Sequence, residues 1–447
     1  MARLFGTDGI RGVAGEELTA ELATKVGRAL TKVLGRESNT RVLLGMDTRE
    51  SSPWLCDALA EGICSVGGDA AVVGVCSTPA VAYLTKKHGY DAGVMISASH
   101  NPYQYNGIKI FGGDGFKLSD ALEDEIQALI DAPFSSDVRG SVTKFDGAVK
   151  EYIEYLKGSF GISLEGMKIG VDCANGSASV SAGELLSALG AECHVRCDSP
   201  NGTNINLDCG STHLEGLKTL VAEKGLDLGI AFDGDADRCL AIDHEGNEVD
   251  GDFIMAIVGL WLNEKGKLRE STIVGTVMSN LGFVKFCEKN GLNFIATKVG
   301  DRYVLEMMNE RGYDFGGEQS GHLILGELAT TGDGQLTAVA LLSRVKESGK
   351  TLKELATVMN KYPQYMVNIR ANTDEKALVK TDEVIIGIIA EGENRLQGTG
   401  RLLIRPSGTE PLIRVMTEGE DGELANDVCT SCARRIRERL DLLNKSV

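Results

Sequence analysis

The run Gly93-Val94-Met95-Ile96-Ser97-Ala98-Ser99-His100-Asn101-Pro102 places a hydroxyl beside an imidazole where an apolar segment stops. Its β-branched centre reads as a buried strand, and Asn101-Pro102 enforces a turn. Small neighbours leave the Ser99 hydroxyl open to close approach. His100 can donate a hydrogen bond to an anion there, or shuttle a proton. Downstream, Lys109 lies between Ile108 and Ile110, so the strand period of two turns its ammonium away from theirs. A polar strand end with a solvated lysine on an edge strand fits the same residues. An activated nucleophile is the sharper reading.

Asp233-Gly234-Asp235-Ala236-Asp237-Arg238 follows a second apolar run, Leu226 to Ala231. Carboxylates at alternate positions, separated by small residues, can converge on one hard divalent cation, which demands oxygen ligands. An EF-hand would need glycine and glutamate where Arg238 and His244 stand, and is excluded. Mg²⁺ would remain short of ligands, and a phosphoryl oxygen would complete its shell. Arg238 would add electrostatic help for that phosphate.

Arg405-Pro406-Ser407-Gly408-Thr409-Glu410-Pro411, with Arg414 close behind, reads as an anion cradle. Hydroxyls, a permissive glycine backbone and two guanidiniums suit a phosphate monoester. It is not a P-loop, because Arg344 stands where the earlier glycine of Gly349-Lys350-Thr351 would be. Gly317-Glu318-Gln319-Ser320-Gly321-His322 offers a carboxylate, a hydroxyl and an imidazole for sugar hydroxyls, although a satisfied turn fits it as well. The opening Gly6-Thr7-Asp8-Gly9-Ile10-Arg11-Gly12 reads as a loop.

These loops need a scaffold, and a strand–helix–strand pattern recurs three times. The copies are Val42–Met46, Pro53–Val66 and Ala70–Val75; Lys168–Asp172, Gly183–Leu189 and Cys193–Cys197; and Ile273–Val277, Val284–Asn290 and Phe294–Thr297. Units of roughly 30 residues suit parallel crossovers. Open parallel sheets bind ligands at the carboxyl ends of their strands, so the loops ending each unit are where chemistry is expected. Leu22, Val26, Leu30 and Val33 predict an early helix, capped by Thr19 and stopped at Gly35. The last segment differs: strands Met366–Ala371, Arg401–Arg405 and Leu412–Thr417, a helix Glu375–Ala390, and a charged closing helix Glu423–Asn444 with Val428, Ile436 and Leu440 on one side.

The 447 residues exceed one hydrophobic core. With 46 basic against 64 acidic side chains the net charge is −18, which disfavours a nucleic-acid binder and leaves anion capture to local cations. The apolar runs, such as Ile254 to Leu262, are too short for a membrane helix, and the N-terminus lacks a signal-peptide core. The 11 cysteines are scattered; they read as reduced thiols of a cytoplasmic protein.

The four motifs, in this order, resemble those of the α-D-phosphohexomutases, and the likeness covers essentially the whole chain. It implies three related α/β domains with mixed sheets plus a C-terminal α+β domain around a central cleft. The expected ranges are 1–157, 158–253, 254–364 and 365–447. It further implies that Ser99 is the phosphorylated residue, with Mg²⁺ held by its phosphate and by Asp233, Asp235 and Asp237. Lys109 is then the candidate general base, needing a depressed pKa, and His100 and Arg11 brace the phosphoryl group. Arg238, Gly300, Asp301, Glu318, Ser320 and His322 would bind substrate. Arg405, Ser407, Gly408, Thr409 and Arg414 would hold the phosphate that is not reacting. The glutamine in Gly317–His322, and Gly300-Asp301 where relatives acting on glucose or mannose phosphates tend to have Gly-His, point to glucosamine phosphates. The implied reaction interconverts glucosamine 6-phosphate and glucosamine 1-phosphate through glucosamine 1,6-bisphosphate, feeding UDP-N-acetylglucosamine synthesis. Asp301 or Glu318 would pair with the 2-ammonium. The family also suggests a homodimer, which nothing in the residues requires. Two rivals stay open. One is a glucose or mannose phosphomutase; the other is a non-catalytic phosphosugar binder, with no phosphate on Ser99.

Overall fold

Residues 3–6, 8–35, 40–134, 136–407 and 410–444 are described by a computed structural model. They divide into two compact units. One runs to Met278 and includes Asn290–Val358; the other joins Ser279–Lys289 to the chain from Met359 onward. Residues 279–289, inside the range expected for a third domain, therefore group with the C-terminal segment.

The first unit carries three sheets. The first has β1 (Ile10–Val13), β2 (Arg41–Met46), β3 (Asp69–Val75), β4 (Ala92–Ile96), β5 (Tyr105–Gly112) and β6 (Val142–Lys144). The second has β7 (Lys168–Asp172), β8 (Glu192–Arg196), β9 (Leu228–Phe232), β10 (Cys239–Asp243) and β11 (Glu248–Val249). The third has β12 (Thr272–Thr276), β13 (Asn293–Thr297), β14 (Phe315–Gly317) and β15 (Leu323–Leu325). Each contains the same run of neighbours: β5-β4-β2-β3, β10-β9-β7-β8 and β15-β14-β12-β13. Three strands of each run are parallel, and the one nearest the site loop's exit is antiparallel. The expected repeat is thus present at the level of topology, in mixed sheets.

Of the loops that end the strand–helix–strand units, the third carries Gly300 and Asp301, while the other candidate groups lie elsewhere. Ser99, Asp233 and Glu318 follow β4, β9 and β14, the strand beside the antiparallel one in each run. These strands lie inside the sheet between a parallel and an antiparallel neighbour, and β4 and β9 are buried throughout, so their carboxyl ends are rigid. The opening segment also departs from expectation. Ile10–Gly12 belongs to β1 and pairs with β5, with Arg11 opposite Gly107. β5 is consequently an interior strand, and Lys109 is buried, not a solvated edge lysine.

Helix Ala20–Leu34 starts on Thr19, whose side chain accepts the Leu22 N–H, and ends at Gly35, as the pattern requires. Its Val26 and Leu30 join Leu44, Leu59, Val94 and Ile110 in one core.

In the second unit β16 (Gln364–Arg370), β17 (Gly400–Pro406) and β18 (Leu412–Gly419) form an antiparallel sheet in the order β16-β18-β17. Ile369, Ile413 and Val415 pack with Ile385, Val428, Ile436 and Leu440 of the helices Glu383–Leu396 and Gly422–Asn444. The single helix expected over Glu375–Ala390 is two, Thr373–Leu378 and Glu383–Leu396. Asp382 starts the second by accepting the Ile385 N–H, and that cap breaks the run.

Candidate active site

Ser99 sits at φ +52°, in the left-handed region that costs a β-carbon residue about 1–2 kcal/mol. Three neighbours impose it. The Ser97 hydroxyl accepts the Ser99 N–H at 2.9 Å, while Arg49 Nη2 and Asn206 Nδ2 each donate to the Ser99 carbonyl at 2.9 Å. Arg49 is fully buried. It also donates to the carbonyls of Asn101, Pro102 and Tyr105 and is held by Asp47 Oδ2 at 2.8 Å. Its five-donor fork turns a chain reversal into a rigid platform. Asp47-Thr48-Arg49 has the composition of a polar turn, and a basic residue just past a buried strand is the signal that could have found Arg49.

The Ser99 hydroxyl donates to Asp233 Oδ2 at 2.5 Å. Asp233 opens the loop after β9, whose Ala236 is also left-handed at φ +57°. Gly234 lets the loops touch, since a Cβ there would lie 2.5 Å from the Ser99 carbonyl oxygen. Oxygens of Asp233, Asp235 and Asp237 lie within 4.8 Å of one another, all buried. Asp235 Oδ1 and Asp237 Oδ1 are enclosed without a hydrogen-bond donor. Buried carboxylate oxygens left unpaired are what a divalent cation would satisfy, so the triad fits a metal site. Burial, then Asp237 and Asp235, push the Asp233 carboxyl well above its ordinary range. Burial opposes ionisation of Asp237 too, but Lys109, His322 and Arg238 outweigh it and hold that carboxyl well below.

Lys109 Nζ stands 3.0 Å from Asp8 and 3.4 Å from Asp237. Burial works against its charge, yet Asp235, Asp8 and Asp237 raise its pKa well above that of a free lysine. The depressed pKa expected of a base is therefore not what this arrangement gives, because the carboxylates outnumber the cations around it. Lys117 pairs with Asp8 and Asp301, and His322 lies 3.6 Å from both Asp301 and Asp237. Asp237, Lys109, Asp8, Lys117, Asp301 and His322 close a ring across all three sheets. Asp301 is thus already partnered, and an incoming 2-ammonium would have to displace Lys117. His322 is buried, with Nε2 accepting the Gly332 N–H at 3.1 Å and Nδ1 turned toward Asp237.

His100 Nδ1 lies 3.4 Å from the Ser99 hydroxyl. Burial, then Arg238 and Arg11, push its pKa down to about 4. It is neutral near pH 7, and the two guanidiniums supply positive charge to this corner. Arg11 pairs with Asp8, and Arg11 Nε and Arg238 Nε are both buried without an acceptor. On the third sheet the Gly300 N–H donates to Glu318 Oε1 at 3.1 Å, and Ser320 Oγ is buried without a partner.

In the second unit Arg405 and Arg414 are directly opposed in the β17–β18 ladder. Like charges in register repel, and burial together with Arg414 lowers the Arg405 pKa. Arg414 pairs with Glu410, leaving its Nε buried and unpartnered. The Ser407 hydroxyl accepts the Glu410 N–H at 3.1 Å. Gly408 and Thr409 lie outside the described residues.

Four family domains match in succession. They are phosphoglucomutase/phosphomannomutase alpha/beta/alpha domain I over residues 2–137, domain II over 150–246, domain III over 250–362, and the C-terminal domain over 366–435. Phosphoglucosamine mutase of Clostridium acetobutylicum is 51% identical over 446 residues, which is 98% of this chain and 100% of that one. The chain belongs to the phosphoglucosamine mutases, within the phosphohexomutase family. The corresponding protein of Acetivibrio thermocellus is 50% identical over 449 residues, 98% of this chain and 100% of its own. Among solved structures, a phosphoglucomutase/phosphomannomutase family protein from Burkholderia thailandensis superposes with a TM-score of 0.84 at 24% identity, over 97% and 96% of the two chains. Aspergillus fumigatus N-acetylphosphoglucosamine mutase, in complex with GlcNAc-6P and magnesium, gives 0.69 at 18% identity, over 97% and 95%. At these identities the two structures attest the fold. No helix among the described residues is long and apolar enough to cross a membrane.

Proposed function

We propose that Ser99 carries the phosphoryl group by which this enzyme interconverts glucosamine 6-phosphate and glucosamine 1-phosphate. Phosphoserine 99 gives its phosphoryl group to the sugar O1, forming the 1,6-bisphosphate. The intermediate turns end for end, and its 6-phosphate returns to Ser99. The observation that carries this reading is the Ser99 hydroxyl on Asp233, 2.5 Å away, beside two buried carboxylate oxygens without donors.

Mg²⁺, when bound by Asp233, Asp235, Asp237 and a phosphoserine oxygen, neutralises charge on the transferring group. Arg11 and Arg238 brace the phosphoryl oxygens, and His100 donates to one of them from its neutral ring. Lys109 takes and returns the proton of the sugar hydroxyl. It can do so only after loosening from Asp235 and Asp237. Glu318, Ser320 and the Gly300-Asp301 turn hold the ring hydroxyls, while Arg405, Ser407, Thr409 and Arg414 grip the phosphate not in transfer. That grip reads a phosphate and not a particular carbon, so it serves both orientations. The assignment of glucosamine rests on the relatives' names; a homodimer and a cytoplasmic location rest on family resemblance alone.

The test incubates the protein with glucosamine 6-phosphate, Mg²⁺ and a trace of glucosamine 1,6-bisphosphate and follows the 1-phosphate. Faster turnover of glucose or mannose phosphates would reassign the substrate. Binding without isomerisation, and no phosphate on Ser99 by intact mass, would remove catalysis altogether.

A further inference from the structure

Eleven free cysteines are distributed over the fold, and only Cys193 and Cys197 among them are not buried. Cys197 follows β8, and its sulfur lies within 4.8 Å of the sulfur of buried Cys209. The contact between the two sulfurs lowers the Cys197 pKa, and the same contact, then burial, raises that of Cys209. A half-exposed thiol of lowered pKa with a buried thiol behind it is the arrangement of an attacking and a resolving cysteine.

The segment between them matters to the active site. It carries Asn206, whose Nδ2 donates to the carbonyls of Ser99 at 2.9 Å and Asn101 at 3.1 Å. The Gly202 carbonyl accepts the Glu50 N–H at 2.9 Å, beside Arg49. Asn175 ties the root of the segment, donating its N–H to the Cys197 carbonyl at 2.6 Å and its amide to Asn204 and Cys209. Cys197, Asn206 and Asp208 all have left-handed backbones, at φ +50°, +58° and +51°. The segment is therefore already bent against preference, and its fit to the Ser99 loop depends on where its two ends stand.

Asp172 is the third donor near the two sulfurs, and a soft metal ion would be the competing occupant. Its Oδ1 already accepts the Ala174 N–H at 2.9 Å, and its Oδ2 pairs with the Arg196 guanidinium. A metal would have to displace Arg196, whereas a bond between the sulfurs asks nothing of Asp172.

We infer that Cys197 and Cys209 are a reversible oxidation site, whose disulfide withdraws Asn206 from the Ser99 loop and slows phosphoryl transfer. The oxidant is a hydroperoxide. The Cys197 thiolate attacks its O–O bond, giving a sulfenic acid and releasing the other oxygen as hydroxide or alkoxide. The Cys209 sulfur then attacks the sulfenic sulfur, the S–S bond forms, and water leaves with the proton of Cys209. A disulfide needs its sulfurs at about 2.05 Å, so closing it turns both side chains and pulls on the two ends of the segment. A dithiol reverses the bond by exchange.

The effect on turnover rests on Ser99 as phosphoryl carrier, whereas the linkage does not, so mass and activity are read separately. The full-length protein is titrated with hydrogen peroxide, alkylated, digested and mapped by mass spectrometry alongside its mutase activity. The expected result is a peptide pair joined through Cys197 and Cys209, lighter by two hydrogens. A roughly tenfold fall in kcat accompanies it, the size of one supporting hydrogen bond, and both are reversed by dithiothreitol. Cys197→Ser and Cys209→Ser each abolish the linkage and the peroxide effect. Oxidation of other thiols with these two unlinked would overturn the site. Linkage with unchanged kcat would overturn the coupling to Asn206, as would an equal loss of activity in both serine variants.

Discussion

Lys109 Nζ lies 2.8 Å from Asp235 Oδ2, so one cation of the protein's own already sits within the acidic triad. Its removal has two readable effects. Lys109→Met should lower kcat by roughly 10²–10⁴, the range of a lost proton-transfer group. It should also lower the melting temperature in EDTA, because Asp8, Asp235 and Asp237 lose their shared counter-charge. Added Mg²⁺ should recover much of that melting loss and none of the turnover.

Ser99→Ala removes the hydroxyl and should lower turnover by more than roughly 10⁴-fold, beyond what a supporting contact is worth. Radiolabelled bisphosphate should leave no label on the variant. A loss of only thirtyfold or so, on the order of 2 kcal/mol, would be too small for an obligatory carrier.

Gly234→Ala puts a methyl group 2.5 Å from the Ser99 carbonyl oxygen and 2.9 Å from Asn206 Nδ2. Both are fixed, so the two loops must part. The expected outcome is a folded protein with weaker Mg²⁺ dependence and a large fall in kcat, checked by a metal titration of activity.

His100 has its pKa pushed from 6.5 to about 4 by burial and by Arg238 and Arg11. Between those values the unfolded chain binds a proton that the folded chain does not. Stability therefore falls as pH drops through that window, and the contribution is complete only above the unfolded value. His100→Gln should flatten this part of the slope in urea melts between pH 4 and 6.5.

Arg405→Ala should raise KM for glucosamine 6-phosphate and glucosamine 1-phosphate by similar factors, roughly tenfold to a hundredfold for a charged hydrogen bond. A change confined to one of the two substrates would contradict a grip that ignores which carbon bears the phosphate.

Much of this site was legible because its chemistry is written in contiguous loops. Three alternating aspartates, a serine beside a histidine and an arginine-flanked turn declare themselves without any fold. The scaffold was legible as far as local periodicity reaches: the strand–helix–strand copies come out as parallel pairs. What periodicity cannot express is which strand takes the central place, so the repeat by itself pointed to loops one strand before those of Ser99, Asp233 and Glu318. Groups that act through space were also missed. Arg49 reaches four carbonyls spread over residues 99–105, and Asn206 crosses from the second sheet to the first. The protonation of Lys109 depends on Asp8, which is 101 residues earlier in sequence and nothing in its own neighbourhood announces it.

The left-handed backbone at residue 99 sets chemical need against thermal endurance. Glycine rests there without penalty and would spare the protein the bend that serine must tolerate. Directed evolution that screens survivors of heating alone should therefore enrich glycine at this position and collect robust, inert molecules. Only a screen that also counts product would keep the hydroxyl.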